Sequence, residues 1–121
     1  MKFTRLIPNV FYTDINAGIR LFIDCLGFRI AHEELKSHEP FCVVEKDGLR
    51  LMLFQNKELA DRDRPEFRFE TNNIDEVYQK VSTTHPQYLH PNLRQVTLRP
   101  WGAKEFAMID ESGVCIIIQQ W

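Results

Sequence analysis

Between residues 66 and 71 the chain alternates strictly, with Glu66, Arg68 and Glu70 on one side and Phe67 and Phe69 on the other. A period of two predicts a half-buried strand, its phenylalanines under a helix and its charges toward a concave face or solvent. Two apolar, partly β-branched runs at 105–109 and 114–118 flank Asp110-Glu111-Ser112-Gly113. They predict a β-hairpin with a slightly long turn. Runs at 41–44 and 49–54 flank Glu45-Lys46-Asp47-Gly48, whose Asp-Gly is a strong hairpin signal. Residues 6–12 form a short apolar strand carrying Pro8, which removes a ladder donor and favours an edge or a strand leaving its own sheet. Residues 95–98 predict another short strand.

Helical spacing appears twice. Thr13 and Asp14 can cap a helix whose apolar positions are Ile15, Ile19, Phe22, Ile23 and Leu26. Gly27 supplies a left-handed stop, and Phe28 can fold back onto the last turn. Asn73 with Glu76 predicts a capping box, opening a helix with Ile74, Val77, Tyr78 and Val81 inward. The charged run 33–39, the proline-containing segment 85–92 and the highly charged stretch 56–65 read as loops. The last, with Asp61-Arg62-Asp63-Arg64 in its middle, reads as a solvated connector between two halves, about 1–60 and 65–121. The halves repeat: Phe11-Tyr12-Thr13-Asp14-Ile15 returns as Phe69-Glu70-Thr71-Asn72-Asn73-Ile74, and Gly48 returns as Gly113. Each reads strand, helix, then three strands. The expected class is α+β, a single domain over 1–121 whose paired βαβββ modules make one cupped mixed sheet.

Composition narrows the function classes. A hydrophobic content of 44% with 26% charged residues is that of an ordinary soluble protein. A formal charge of −2 gives no electrostatic footprint for nucleic acid, and there is no basic run for an anionic membrane surface. No segment has the continuous apolar character of a signal peptide or a membrane span. Cys25, Cys42 and Cys115 lack CxxC spacing and sit among apolar neighbours. They read as small buried hydrophobes of a reducing cytoplasm.

Candidate chemistry is sparse. Pro100-Trp101-Gly102 places a large indole beside a glycine, which allows close approach to the backbone. Trp101 suits the rim of a binding cavity, and equally the cover of a core. Glu66, Arg68 and Glu70 on one strand face can anchor a polar ligand, or simply compensate one another in solvent. No spacing identifies a nucleophile with its base, or paired catalytic carboxylates.

The repeat, together with Pro100-Trp101-Gly102, Glu105-Phe106-Ala107, Asp110 and Gly113, resembles the vicinal-oxygen-chelate superfamily and within it the bleomycin resistance proteins. Pro8, Asp14, Gly18 and Leu26-Gly27-Phe28 are similar to that family's opening module. The resemblance implies a homodimer that sequesters a small molecule in clefts between subunits, with Pro8 letting the first strand cross to the partner. It implies stacking by Trp101 and Phe41, with Gly102, Met52, Glu66, Arg68 and Glu70 around the ligand. The superfamily's metal-ligand positions fall near Ile7, Arg50 or Met52, Glu66 and Ile117, and only Glu66 is a donor. The resemblance therefore implies a protein without metal, cofactor or catalytic residues. Two departures turn the expectation away from bleomycin itself. The resistance proteins are markedly acidic, and they carry an aromatic where this chain has Arg68. The alternatives are a metal-dependent enzyme of the glyoxalase or dioxygenase type, and a structural module with an empty cleft.

Overall fold

Two sets of extended runs pair into two sheets of the same topology. The computed structural model describes residues 1–62 and 65–121. The chain divides into two compact units, Met1–Asp63 and Arg64–Trp121. Asp63 and Arg64, in the middle of the predicted connector, lie outside the described residues.

The first unit runs β1 (Asn9–Tyr12), α1 (Ile15–Ile19), β2 (Arg29–Glu34), β3 (Phe41–Lys46), β4 (Leu49–Gln55) and α2 (Lys57–Arg62). Its strands lie in the order β1-β4-β3-β2, with β1 parallel to β4 and the other pairs antiparallel. The second runs β5 (Glu66–Glu70), α3 (Ile74–Thr84), β6 (Thr97–Leu98), β7 (Lys104–Ile109) and β8 (Cys115–Gln120). Its order is β5-β8-β7-β6, again with a parallel outer pair, β5 and β8. The repeat predicted from the sequence is thus present as an α+β fold.

Side-chain alternation divides each sheet. Val10, Tyr12, Cys42, Val44, Leu51 and Leu53 are buried on the α1 side of the first sheet. Ile116, Ile118, Phe106 and Met108 are buried in the second, where Tyr78 of α3 meets Phe106 edge-on with ring centroids 5.2 Å apart. The β3–β4 turn has positive φ at both Asp47 (53°) and Gly48 (81°), the conformation that a two-residue hairpin of this twist requires. Gly27 ends the first helix at φ 76°, and Phe28 packs edge-on against Phe22 with centroids 5.5 Å apart. The Asn73 cap is half of a capping box. Its Oδ1 accepts from the Glu76 N–H at 3.2 Å, while its own N–H goes to Thr71 Oγ1.

Several expectations change. β1 begins at Asn9, leaving Leu6 and Ile7 outside it and exposed. Pro8 nevertheless keeps the register, because its carbonyl accepts the Met52 N–H at 3.0 Å. Arg20–Cys25 continues α1 as a π-helical turn, closed by a Leu26 N–H to Leu21 carbonyl bond of 3.0 Å. The wider turn rotates the buried face to Ile15, Ala17, Gly18, Leu21, Phe22 and Cys25, leaving Ile19, Ile23 and Leu26 only half-buried. The charged run begins within β2, so His32 sits on a strand rather than in a loop. The predicted connector contains α2, a short helix with no buried residue that carries Lys57–Asp61 and Glu58–Arg62 ion pairs of 2.8 Å. Within 85–92, Pro86–Tyr88 form a helical turn, and Tyr88 and Leu89 are buried. β6 is only Thr97–Leu98.

Gly18 marks the tightest helix–sheet approach. A Cβ there would stand 2.4 Å from Cε2 of Tyr12, whose ring is fully buried and has nowhere to swing. Gly18→Ala should destabilise the fold by about 1–3 kcal/mol through overpacking. Urea unfolding midpoints should show this loss, and Tyr12→Leu in the same chain should recover part of it.

Candidate functional site

In β7 the side chains alternate, so Phe106 and Met108 go to the α3 side and Glu105 to the other face. Glu105 is only 2% exposed. An ionised carboxylate taken that far from water costs several kcal/mol unless cations and donors compensate it. Neighbouring elements supply them. Arg68 of β5 donates from Nη1 to Glu105 Oε2 at 2.9 Å and to Gln119 Oε1 of β8 at 3.0 Å. The Trp101 indole N–H donates to the same Oε2 at 3.3 Å. Arg99 Nε stands 3.8 Å from Oε1, too far for a hydrogen bond, and is buried without a partner among the described residues. The Arg99 guanidinium carbon also lies 4.9 Å from the centroid of the Trp101 ring.

The β6–β7 loop brings Trp101 there. Gly102 at φ 100° lets its N–H reach the Arg99 carbonyl at 2.9 Å while the Arg99 N–H reaches the Ala103 carbonyl at 2.8 Å. The turn holds the indole back over Glu105 while leaving 51% of Trp101 exposed. Trp101 and Arg68 are therefore brought together with Glu105 as their common partner, and Gly102 shapes the turn that carries Trp101. Glu66 and Glu70 share the Arg68 face of β5, yet Arg68 pairs with neither. Glu66 sits beside Cys115, whose thiol lies 3.8 Å from Oε1, and Glu70 is in register with Gln119.

Phe41 and Met52 lie in the first unit, on the sheet face away from α1. Phe41 belongs to an aromatic row: its ring centroid is 5.7 Å from Phe54 and 5.9 Å from His32, and Phe54 is 5.6 Å from Phe11. Met52 lies between Asn9 and Val43 in the next register position. One step further, β3 and β4 pair Glu45 with Arg50. Glu45 takes Arg50, Arg29 at 2.7 Å and Arg5 at 3.5 Å. Hydrogen bonding from Arg50, reinforced by the charges of Arg50, Arg29 and Arg5, holds the Glu45 carboxyl below its ordinary 4.5.

Sequence reasoning missed Phe11, Phe54, Glu105, Arg99 and the Glu45 cluster. Phe54 had a signal, the alternation of Leu51 and Leu53 against Met52 and Phe54. Glu105 stood only as part of the Glu105-Phe106-Ala107 motif, and its burial had no signal, because a glutamate at a strand start reads as exposed.

The metal of the enzymes that the sequence resembles is a poor match to these residues. Ile7, Arg50 and Ile117 offer no metal-binding side chain, and Arg50 is committed to Glu45. Among the described residues, no group of three or more His, Cys, Asp or Glu side chains is placed to hold an ion. The Cys42 and Cys115 thiols are poor nucleophiles. Burial, with the Glu33 charge, pushes Cys42 up to about 11, and burial with Glu66 raises Cys115.

No family model and no curated protein matches the sequence. Solved structures do match its fold. A bleomycin-binding protein complexed with bleomycin is 19% identical, covering 98% of this chain and 99% of its own at a TM-score of 0.77. The bleomycin-binding protein of bleomycin-producing Streptomyces verticillus, complexed with copper(II)-bleomycin, is 20% identical over 98% of this chain and 96% of that one, with a TM-score of 0.73. Lactoylglutathione lyase from Agrobacterium tumefaciens is 13% identical over 98% and 95%, with a TM-score of 0.74. The chain has the glyoxalase/bleomycin resistance fold.

Arg68→Ala should destabilise the chain by roughly 1–3 kcal/mol, since it strips the buried Glu105 of its best donor. Thermal or urea unfolding beside Arg68→Lys will show whether charge alone suffices. For Glu45 the folded pKa lies below the unfolded one, so the pairing stabilises fully above about pH 4.5 and is lost as pH falls through the folded value. Glu45→Gln should flatten that acid limb of the stability–pH curve, measured by unfolding at stepped pH.

Proposed function

We propose that this protein binds a small molecule without transforming it and without a metal, holding it in a cleft of a homodimer. In that reading its two modules act as one domain over residues 1–121. The observation that carries this is Trp101. A half-exposed indole fastened at its N–H to a buried carboxylate presents a rigid flat face at little entropic cost. That arrangement occurs in a fold shared with proteins solved with bleomycin bound. A core cover or a module with an empty cleft would have no use for an indole so exposed.

Gly102 and Arg68 beside Trp101, Glu66 and Glu70 along β5, and Phe41 with Met52 in the first unit are the residues proposed to meet the ligand. Arg68 and Arg99 disfavour a cationic drug at Trp101, so the proposed ligand is not bleomycin. The homodimer is supported by apolar residues left open before β1. Phe3 and Leu6 are each 86% exposed, and Pro8, which follows them, is the proposed hinge. A metal-dependent reaction of the glyoxalase or dioxygenase type is disfavoured by the donor set, in which Glu66 stands alone.

Light scattering should give the mass of a dimer, and a monodisperse monomer would remove the intersubunit cleft. In a Trp121→Phe background, the Trp101 emission should shift when a bound member of a small-aromatic library is added. Copper(II)-bleomycin should produce little change. Trp101→Ala should weaken binding of the hit by about 1–3 kcal/mol, and an unchanged affinity would relegate the indole to a structural role.

A further inference from the structure

We infer that the β3–β4 face of the first unit binds an aromatic anion, with its rings on Phe41 and Phe54 and its carboxylate or phosphate at the Arg29–Arg5 end. The inference deepens the binding reading by naming a ligand class, and it rests on that reading only for the assumption that the face is used.

The charge balance at that end is lopsided. A pocket of about 210 Å³ beside the hairpin turn is lined by Arg5, Arg29, Glu45, Lys46, Asp47 and Leu49. Arg50 stands behind Glu45. Arg5, Arg29, Arg50 and Lys46 thus outnumber Glu45 and Asp47. Arg50 engages Glu45 through two nitrogens, but Arg29 uses only one, and the Arg5 contact is long at 3.5 Å. Each of these two guanidiniums has more N–H donors than its contact consumes. Arg29 is 71% exposed, so its remaining fork is open to a ligand. Glu45 accordingly orients the arginines without cancelling them, an arrangement suited to bidentate capture of a carboxylate or phosphate.

The rest of the face supplies the aromatic half. Phe41 and Phe54 are half-buried, nearly parallel neighbours, with an interplanar angle of 26°. Val43 and Met52 lie in register between them and the Glu45–Arg50 pair. From Phe41 to Glu45 is four residue steps along a strand, roughly 13 Å. A two-ring aromatic acid spans an apolar path of that length and arrives at the arginines.

The test uses the full-length chain with biphenyl-4-carboxylate and its neutral carboxamide, titrated by calorimetry and by backbone and methyl NMR. The carboxylate should bind at least tenfold more tightly than the amide, perturb Met52, Val43 and Arg29, and weaken with added salt. Arg5→Met with Arg29→Met should abolish the tenfold preference while leaving amide binding unchanged, and Phe54→Leu should weaken both compounds alike. Equal affinity for acid and amide, a preference surviving the double arginine variant, or no perturbation on this face would overturn the inference. If the acid fails while another library member shifts the Trp101 emission, the ligand class is wrong and the binding reading stands. Silence of both readouts overturns the two together. Inorganic phosphate run alongside separates the two anion types. Phosphate competing with the acid supports the arginine end as the anion subsite, and absence of competition at saturating phosphate restricts the class to carboxylates.

Discussion

In each unit a helix covers one face of a four-stranded sheet, and the two-residue period of a strand then decides which side chains remain for the other face. Val10 and Tyr12 go under α1, which turns Phe11 outward; Phe106 goes under α3, which turns Glu105 away from it. The hydrophobic core therefore specifies the chemistry on the opposite faces without touching it. A one-residue slip of β7 would drive Glu105 into the apolar layer against Tyr78, at a cost no local contact repays. The close contact of Gly18 with Tyr12 fixes how near α1 comes and so reinforces the register of β1.

The two carboxylates on these outward faces solve different problems. Glu105 is nearly inaccessible, and Arg68, Trp101 and Arg99 surround it from β5 and the β6–β7 loop. Such a buried pair adds little net stability over a well-packed apolar group, but breaking it is costly. What it secures is position: the indole ring is held by its N–H, with Arg99 over the ring and about half of the residue exposed. Glu45 is nearer solvent and its partners are partly exposed, so its ion pairs contribute modestly. Its consequence is again geometric, since three guanidiniums converge on one hairpin end.

The parts of this arrangement that were legible in the sequence are those encoded locally. Asp47-Gly48, Gly27, Asn73 and the alternation of 66–70 each act through the nearest few residues, and each appears where the pattern placed it. The π-helical turn was not legible, because the spacing of Ile15, Ile19, Phe22, Ile23 and Leu26 satisfies an ordinary helix, and only packing against Tyr12 and the sheet selects the wider one. β2 was implied by the repeat, but its place in the chain was hidden for a related reason. Its residues are all exposed, so it has no apolar face to signal a strand, and it exists by pairing with β3. α2 is held by side-chain pairs four residues apart, which a polar connector and a solvated helix share. At the site, Trp101 and Phe41 were visible as large aromatics next to glycine or in an apolar run. The cluster around Glu105 was not, since its meeting with Arg68 and Gln119 crosses β5, β7 and β8, which no short spacing contains.

Net charge is a poor guide to what such a surface selects. The chain is mildly acidic overall, with a formal charge of −2. Yet Arg68 and Arg99 stand at Trp101, and Arg5, Arg29 and Arg50 stand at the end of the Phe41–Phe54 row. A ligand a few ångströms away responds to those groups, because salt screens the remaining charges beyond about 10 Å. Acidic residues elsewhere, such as those of α2 and the first turn of α3, set solubility more than recognition. In this chain arginine thus stands beside Trp101 and at the end of the Phe41–Phe54 row. Guanidinium beside an aromatic face favours partners that are flat and anionic and opposes those that are cationic, whatever the overall charge.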